Sequence, residues 1–220
     1  IKPYLPDNIN PAGGINSCAE DMAKWMLVLL KQGKLPDGSQ LVSEKVMSEI
    51  TSLQTPIPIY KPAPELAAAA MNFNGYGLGV RLRDFRRYKV VTHTGGLAGY
   101  VSQVWLMPEI GLGVTILTNQ EADEAYQSLT YAIADYYLKA PAVDWVGAIA
   151  KVRERSRQRT QDEIKKAYDE RNKNSKPSLP LEKYAGLYRD AWYGEIEIKH
   201  EGDRLLMTFK HSPDLSGQLE

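Results

Sequence analysis

Cysteine is nearly absent. Cys18 is the only one in 220 residues, so no disulfide can close within the chain and no cysteine-based zinc cluster can be built. At that position a small residue buried on a helix is the plain expectation, against a reactive thiol. Histidine is almost as scarce. His93, His200 and His211 stand at no metal-ligand spacing, so neither a metal nor any other cofactor is expected. Net charge is absent as well: 27 basic side chains balance 27 acidic ones. That argues against nucleic acid as a partner, because its binders carry a basic excess. No apolar run reaches the roughly 18 residues of a membrane span. No signal-peptide pattern heads the chain, which says nothing about export. What is present is a hydrophobic fraction of 43%, enough for a core in one large domain or in a domain with an appendage.

The chemistry concentrates in Val90-Val91-Thr92-His93-Thr94-Gly95-Gly96-Leu97-Ala98-Gly99-Tyr100. A β-branched strand run ends in an imidazole and a hydroxyl, and two glycines follow. A backbone without Cβ can come close to a ligand and aim its N–H groups at a bound oxygen. His93 and Thr94 beside it add a titratable nitrogen and a hydroxyl. The competing reading is a strand entering a tight turn, where glycine supplies geometry alone.

In chain order, residues 1–16 are rich in Pro, Asn and Gly and read as a loop. Gly13 and Gly14 are either part of that plain loop or a close approach to a site. Ser17 with Glu20 has the pattern of a capping box. Met22, Met26, Leu29 and Leu30 then recur at helical spacing up to Gly33, and Asp21 suits the dipole at the helix start. Ser43 caps a short helix to about Ser52. Four prolines over 54–74 predict a surface excursion, a candidate rim or lid. Leu78, Val80 and Leu82 alternate as in a half-buried strand, with a turn at Phe85–Tyr88. Strand runs at 88–94, 100–107 and 112–119 are joined by links too short for parallel crossovers, so the sheet is antiparallel. Tyr100 either borders a pocket or fills a sheet face. Ala125, Leu129, Ala132, Ile133 and Tyr136 predict a helix on the sheet. A charged helix follows over about 144–172, its start buried by Trp145, Ile149 and Val152. The segment 172–177 is a linker by composition. Ile196 and Ile198, then Leu205, Met207 and Phe209, make a hairpin that must pack on something.

His93-Thr94-Gly95-Gly96, Gly99-Tyr100, Trp105-Leu106-Met107-Pro108-Glu109 and Leu117-Thr118-Asn119 together resemble the serine β-lactamase and penicillin-binding-protein-like hydrolases, in their class C and esterase branch. Pro11-Ala12-Gly13-Gly14-Ile15-Asn16-Ser17, Glu20-Asp21-Met22-Ala23 and Tyr76-Gly77-Leu78-Gly79 fit the same family in the same order. The likeness covers roughly residues 8 to 140. Tyr184-Ala185-Gly186-Leu187-Tyr188 resembles the start of a small β domain of unknown function often appended to that family.

The resemblance implies that His93, Thr94 and Gly95 are the third motif beside the active site, with the Gly96 N–H one of two oxyanion-hole donors. It places Tyr100, Gly13 and Gly14 at the substrate. It implies an acyl-enzyme formed on an ester, amide, D-peptide or β-lactam carbonyl, and a periplasmic or secreted setting. The expected fold is mixed α+β: an antiparallel sheet flanked by helices over 1–140, a charged helix and linker over 141–176, and the start of an appended β domain over 177–220. One departure is large. The family's Ser-x-x-Lys nucleophile motif and its Tyr-x-Asn are both absent here. The expectation is that both lie upstream of Ile1, in an N-terminal half acting as partner to this one, and that this chain alone is inactive. Exposed strand edges, and with them oligomer formation, follow from that reading. A non-catalytic binding module and an inactive homologue are the alternatives.

Overall fold

The computed structural model describes residues 10–172 and 174–219; the loop expected over 1–9 lies outside them. The chain forms two compact units that divide between Gln161 and Asp162.

The first unit is built on a six-stranded antiparallel sheet in sequence order: β1 (Thr55–Pro56), β2 (Asn74–Tyr76), β3 (Arg81–Phe85), β4 (Tyr88–Leu97), β5 (Tyr100–Met107) and β6 (Leu112–Thr118). Adjacent residues of a strand face opposite sides, and here both sides are covered. Val91 and Leu106 pack with Leu82 against Met26 of α2 (Ala19–Leu30). On the other face Val90, Trp105 and Met107 join Phe85, Tyr131 of α4 (Asp123–Leu138), and Trp145 and Ile149 of α5 (Trp145–Glu170). The result is a sheet between two helical layers, the mixed α+β class that the sequence predicts.

A buried polar staple fixes the turn that aims β4. Arg86, at φ 53°, donates through Nε and Nη2 to the Asp135 carboxylate, and Trp145 Nε1 donates to the same group at 2.8 Å. The turn between β3 and β4, the last turn of α4 and the first turn of α5 are thereby tied together.

Several local expectations are corrected. Asn10–Gly13 is a four-residue helix, α1, rather than loop; Pro11 fits it because a first-turn N–H has no intrahelical partner to lose. The capping box does not form. Cys18 is the N-cap of α2, without a side-chain cap bond, and it is exposed rather than buried. Acidic residues Glu20 and Asp21 in the first turn, both paired with Lys24, complement the helix start instead. Ser43 does cap α3 (Glu44–Ile50), accepting from the Val46 N–H. Leu78 and Val80 are not in a strand. Gly77 N–H donates to the Val80 carbonyl and Gly79 takes φ 78°, so the segment is a turn and Leu78 stays outside. The proline-rich segment is not wholly surface: a 3-10 turn over Pro64–Ala69 buries Ala69 in the core, held by Arg83 Nη2 bonding the Ala69 carbonyl.

In the second unit the expected hairpin gains a strand on each side. The sheet order is β10 (Ser212–Leu219), β9 (Arg204–Phe209), β8 (Gly194–Glu201) and β7 (Gly186–Asp190), all antiparallel. Ile196, Ile198, Met207 and Phe209 share one face by register, and Leu205 on it is buried.

Candidate active site

Strand β4 changes character halfway. From Val90 to Thr92 it is buried; from His93 to Leu97 every residue is exposed. The cause is topological. Arg81 begins β3 and pairs with Thr92, so β4 runs on past its neighbour with β5, among the described residues, as its sole strand partner. The His93-Thr94-Gly95-Gly96 segment is thus a half-paired strand end, open along one edge.

Register settles what faces that edge. A two-residue turn, Ala98-Gly99 with Gly99 at φ 83°, joins the strands and makes Leu97 pair with Tyr100. Two-residue hairpin loops close on a hydrogen-bonded pair, and such pairs alternate along an antiparallel ladder. Leu97, Gly95 and His93 therefore turn their backbone groups towards β5. The N–H and C=O of Thr94 and Gly96 turn to the open edge. One of these groups is already engaged: the Thr94 carbonyl accepts from His93 Nδ1 at 2.7 Å.

His93 is held at both ring nitrogens, since Nε2 lies 2.9 Å from the Tyr76 hydroxyl. A carbonyl can only accept, so Nδ1 carries a proton. In the neutral imidazole Nε2 is then the acceptor, and Tyr76 donates to it. The two rings meet edge to face, centroids 6.1 Å apart. Arg81 on β3 spends its Nε on the Asn74 side chain, and Glu121 after β6 accepts from the Gly99 N–H at 3.4 Å.

Gly95 is fixed by a close approach. A Cβ there would come within 2.5 Å of the Ser102 hydroxyl, directly across the ladder. Gly96 has open space around its missing side chain. Exposed Leu97 and Tyr100 form the hairpin end beside the motif. Gly13 and Gly14 are exposed, and their hydrogen bonds stay local: Gly14 N–H donates to the Asn10 carbonyl and its own carbonyl accepts from Asn16. The structure therefore groups His93, Thr94, Gly95, Gly96 and Tyr100 on one hairpin, and records no bond from Gly13 or Gly14 to it.

Two residues at this hairpin escaped the sequence reading. Tyr76 belongs to the Tyr-Gly-Leu-Gly motif, but nothing in its spacing announces a bond to His93 seventeen positions on. Ser102 was in principle legible, because a two-residue turn at Ala98-Gly99 forces it opposite Gly95.

A separate cleft, lined by Thr51, Asn72, Phe73, Asp84, Arg87 and Lys89, lies towards the other end of β4. Its buried Asp84 is a structural anchor. Burial pushes that carboxyl up, yet the donors from Asn72 and the Phe73 N–H outweigh it and hold it below the usual range. No group of metal-binding geometry occurs among the described residues.

The Beta-lactamase family model matches residues 2–138, and a domain of unknown function, DUF3471, matches residues 170–220. The chain belongs to the Beta-lactamase family, a family of hydrolases and penicillin-binding-like proteins. Among curated relatives it is 26% identical over 217 residues to the unguisins hydrolase ungD' of Aspergillus campestris, covering 90% of this chain and 36% of that protein. It is 25% identical over 209 residues to the unguisins hydrolase ungD of Aspergillus violaceofuscus, covering 86% and 35%. The chain thus spans about a third of the length of these relatives. An octameric penicillin-binding protein homologue from Pyrococcus abyssi aligns with a TM-score of 0.49 at 17% identity, over 92% of this chain and 36% of that one.

Proposed function

We propose that this chain is the part of a serine hydrolase that lines one side of an acyl-transfer site. The observation that carries the reading is the open edge of β4, where Gly96 presents an unpaired N–H beside an exposed, doubly anchored His93. In this role the Gly96 amide is one oxyanion donor, stabilising charge that develops on a substrate carbonyl oxygen. His93 and Thr94 orient the substrate, Tyr100 borders it, and Gly95 keeps the strand surface low. Gly13 and Gly14 belong to the site only if a further segment brings them there. The nucleophile is a serine activated by an adjacent base, contributed by a Ser-x-x-Lys segment outside this sequence. Substrates are esters, amides, D-peptides or β-lactams, met outside the cytoplasm, and no metal or other cofactor takes part.

The test is covalent labelling with a phosphonate probe that marks activated serines. The 220-residue chain alone is expected to stay unlabelled, while a longer protein carrying Ser-x-x-Lys upstream is labelled at that serine. In the longer protein His93→Ala removes most of the activity. Labelling of the 220-residue chain, or full activity in His93→Ala, refutes the assignment.

A second reading, an assembly module, is favoured by β6. Leu112–Thr118 carries no charge and, among the described residues, pairs with β5 alone. Such an edge accepts a further strand. Light scattering decides it: a mass above the 24.7 kDa monomer that returns to the monomer in Leu117→Lys supports the module, and a monomer at all concentrations refutes it.

A further inference from the structure

Every hydrogen-bonding position of the neutral His93 ring is occupied: Nδ1–H by the Thr94 carbonyl and the Nε2 lone pair by the Tyr76 hydroxyl. While these bonds hold, the neutral imidazole orients a ligand by positioning Tyr76 rather than through a hydrogen bond of its own. The polar atom of the pair with capacity to spare is the phenolic oxygen of Tyr76, a half-buried residue. Its one hydrogen is spent on Nε2, but an oxygen of this kind still has acceptor capacity. We propose that Tyr76 makes this corner of the site a hydrogen-bond acceptor, so that it takes a substrate presenting an N–H, an amide or peptide, in preference to one presenting a carboxylate. This deepens the hydrolase reading above and rests on it for the identity of the reaction.

The surroundings agree. A carboxylate placed against Tyr76 would meet an oxygen lone pair rather than a proton. Opposite His93 stands Val104, with Gln103 and Trp105 as its neighbours on β5. β3 carries two cations: Arg83 bonds the Tyr131 hydroxyl and the Ala69 carbonyl, and Arg81, paired with Tyr76 across the ladder, donates through Nε to Asn74. The charge on the hairpin side is Glu121, an anion. Exposed Leu97 and Tyr100 add apolar surface. An uncharged donor is the chemistry that fits the Tyr76 oxygen, the Glu121 anion and the apolar hairpin end.

The experiment uses the 220-residue chain with 15N-labelled histidine, the His93 signal being assigned by its loss in His93→Gln. At pH 8 the wild type is expected to show the Nδ1–H tautomer at His93. Butyramide, as the neutral donor probe, shifts the His93 signal with an affinity at least about threefold above that of butyrate, the factor one ordinary hydrogen bond supplies. Tyr76→Phe, which removes only the hydroxyl, brings the pH 8 ratio to within about twofold of unity. An Nε2–H tautomer in the wild type overturns the proposal. So does butyrate binding as well as butyramide at pH 8, an unchanged ratio in Tyr76→Phe, or no response to either probe. None of these readings needs turnover. A longer protein that is never acylated refutes the hydrolase assignment while leaving the tautomer and probe ratio to be judged on their own.

Discussion

Replacing Asp135 by alanine is expected to destabilise the first unit by about 3–5 kcal/mol, the usual cost of removing one partner of a buried ion pair. The side chains of Asp135 and Arg86 are 7% and 22% exposed, and the bidentate bonds are 3.0 and 2.9 Å long. Three groups lose their acceptor at once: Arg86 Nε, Arg86 Nη2 and the buried Trp145 Nε1. The guanidinium cannot simply relax into water, because it lies over the Phe85 and Trp145 rings, 5.7 and 5.9 Å from their centroids. With a urea m-value of about 2 kcal/mol per M, a loss of about 4 kcal/mol moves the midpoint down by about 2 M. Tryptophan fluorescence reads this unit well, since Trp105 and Trp145 are buried while Trp25 and Trp192 are exposed. The double variant Arg86→Met with Asp135→Leu is expected to recover most of the loss, because no charge is then left uncompensated. A midpoint shift below about 0.5 M in Asp135→Ala, or a double variant as unstable as the single one, refutes the staple.

Three further outcomes follow from the same structure. Glu65 is held down to about 2 by its hydrogen bonds from Arg155, at 2.5 and 2.7 Å. Because its folded value is depressed, whatever the pair contributes is present above the ordinary glutamate range and lost as pH falls towards about 2. In Arg155→Gln a carboxyl-carbon NMR titration should find Glu65 moved up towards that ordinary range, and an unmoved midpoint contradicts the pairing. Asp84 is also depressed, so its anchor to Asn72 and Phe73 holds above the usual aspartate range and weakens in acid. Asp84→Asn is expected to cost about 1–3 kcal/mol at neutral pH and less at pH 2–3, which urea melts at both pH values measure. Gly95→Ala sets a Cβ against the Ser102 hydroxyl, a single atom that can rotate away. Its stability cost should stay below about 1 kcal/mol, and pairing it with Ser102→Ala should remove that cost. An undiminished cost in the pair would mean that the backbone, not the hydroxyl, is what Gly95 accommodates.

Periodicity carried far in this chain where burial has one cause. The runs at 100–107 and 112–118 and the helix starting at Trp145 sit where the pattern predicts, because each buries apolar surface. The helix over 123–138 forms as expected but turns a different face inward, burying Ser128, Thr130, Tyr131, Ala134 and Asp135 while Leu129, Ala132 and Tyr136 stay exposed. The pattern misled where short polar or glycine-rich segments decide. At Leu78 and Val80 the alternation was accidental and Gly77 and Gly79 made a turn. At Ser17 and Glu20 the capping spacing was present, but the chain entered the helix one residue later at Cys18. Ala69 looked like part of a proline-rich surface loop and is buried through Arg83, which no local pattern connects to it.

The sequence by itself determined the family, the antiparallel sheet, and the His93-Thr94-Gly95-Gly96 segment as the place to look, since these rest on local residue order and on a two-residue turn. Tertiary structure alone decided that the segment is half paired. That depends on where β3 stops relative to β4, a register between strands that no single strand encodes. It also decided that Tyr76 and His93 share a proton-bearing contact across 2.9 Å, because side chains distant in sequence meet only once the sheet has folded.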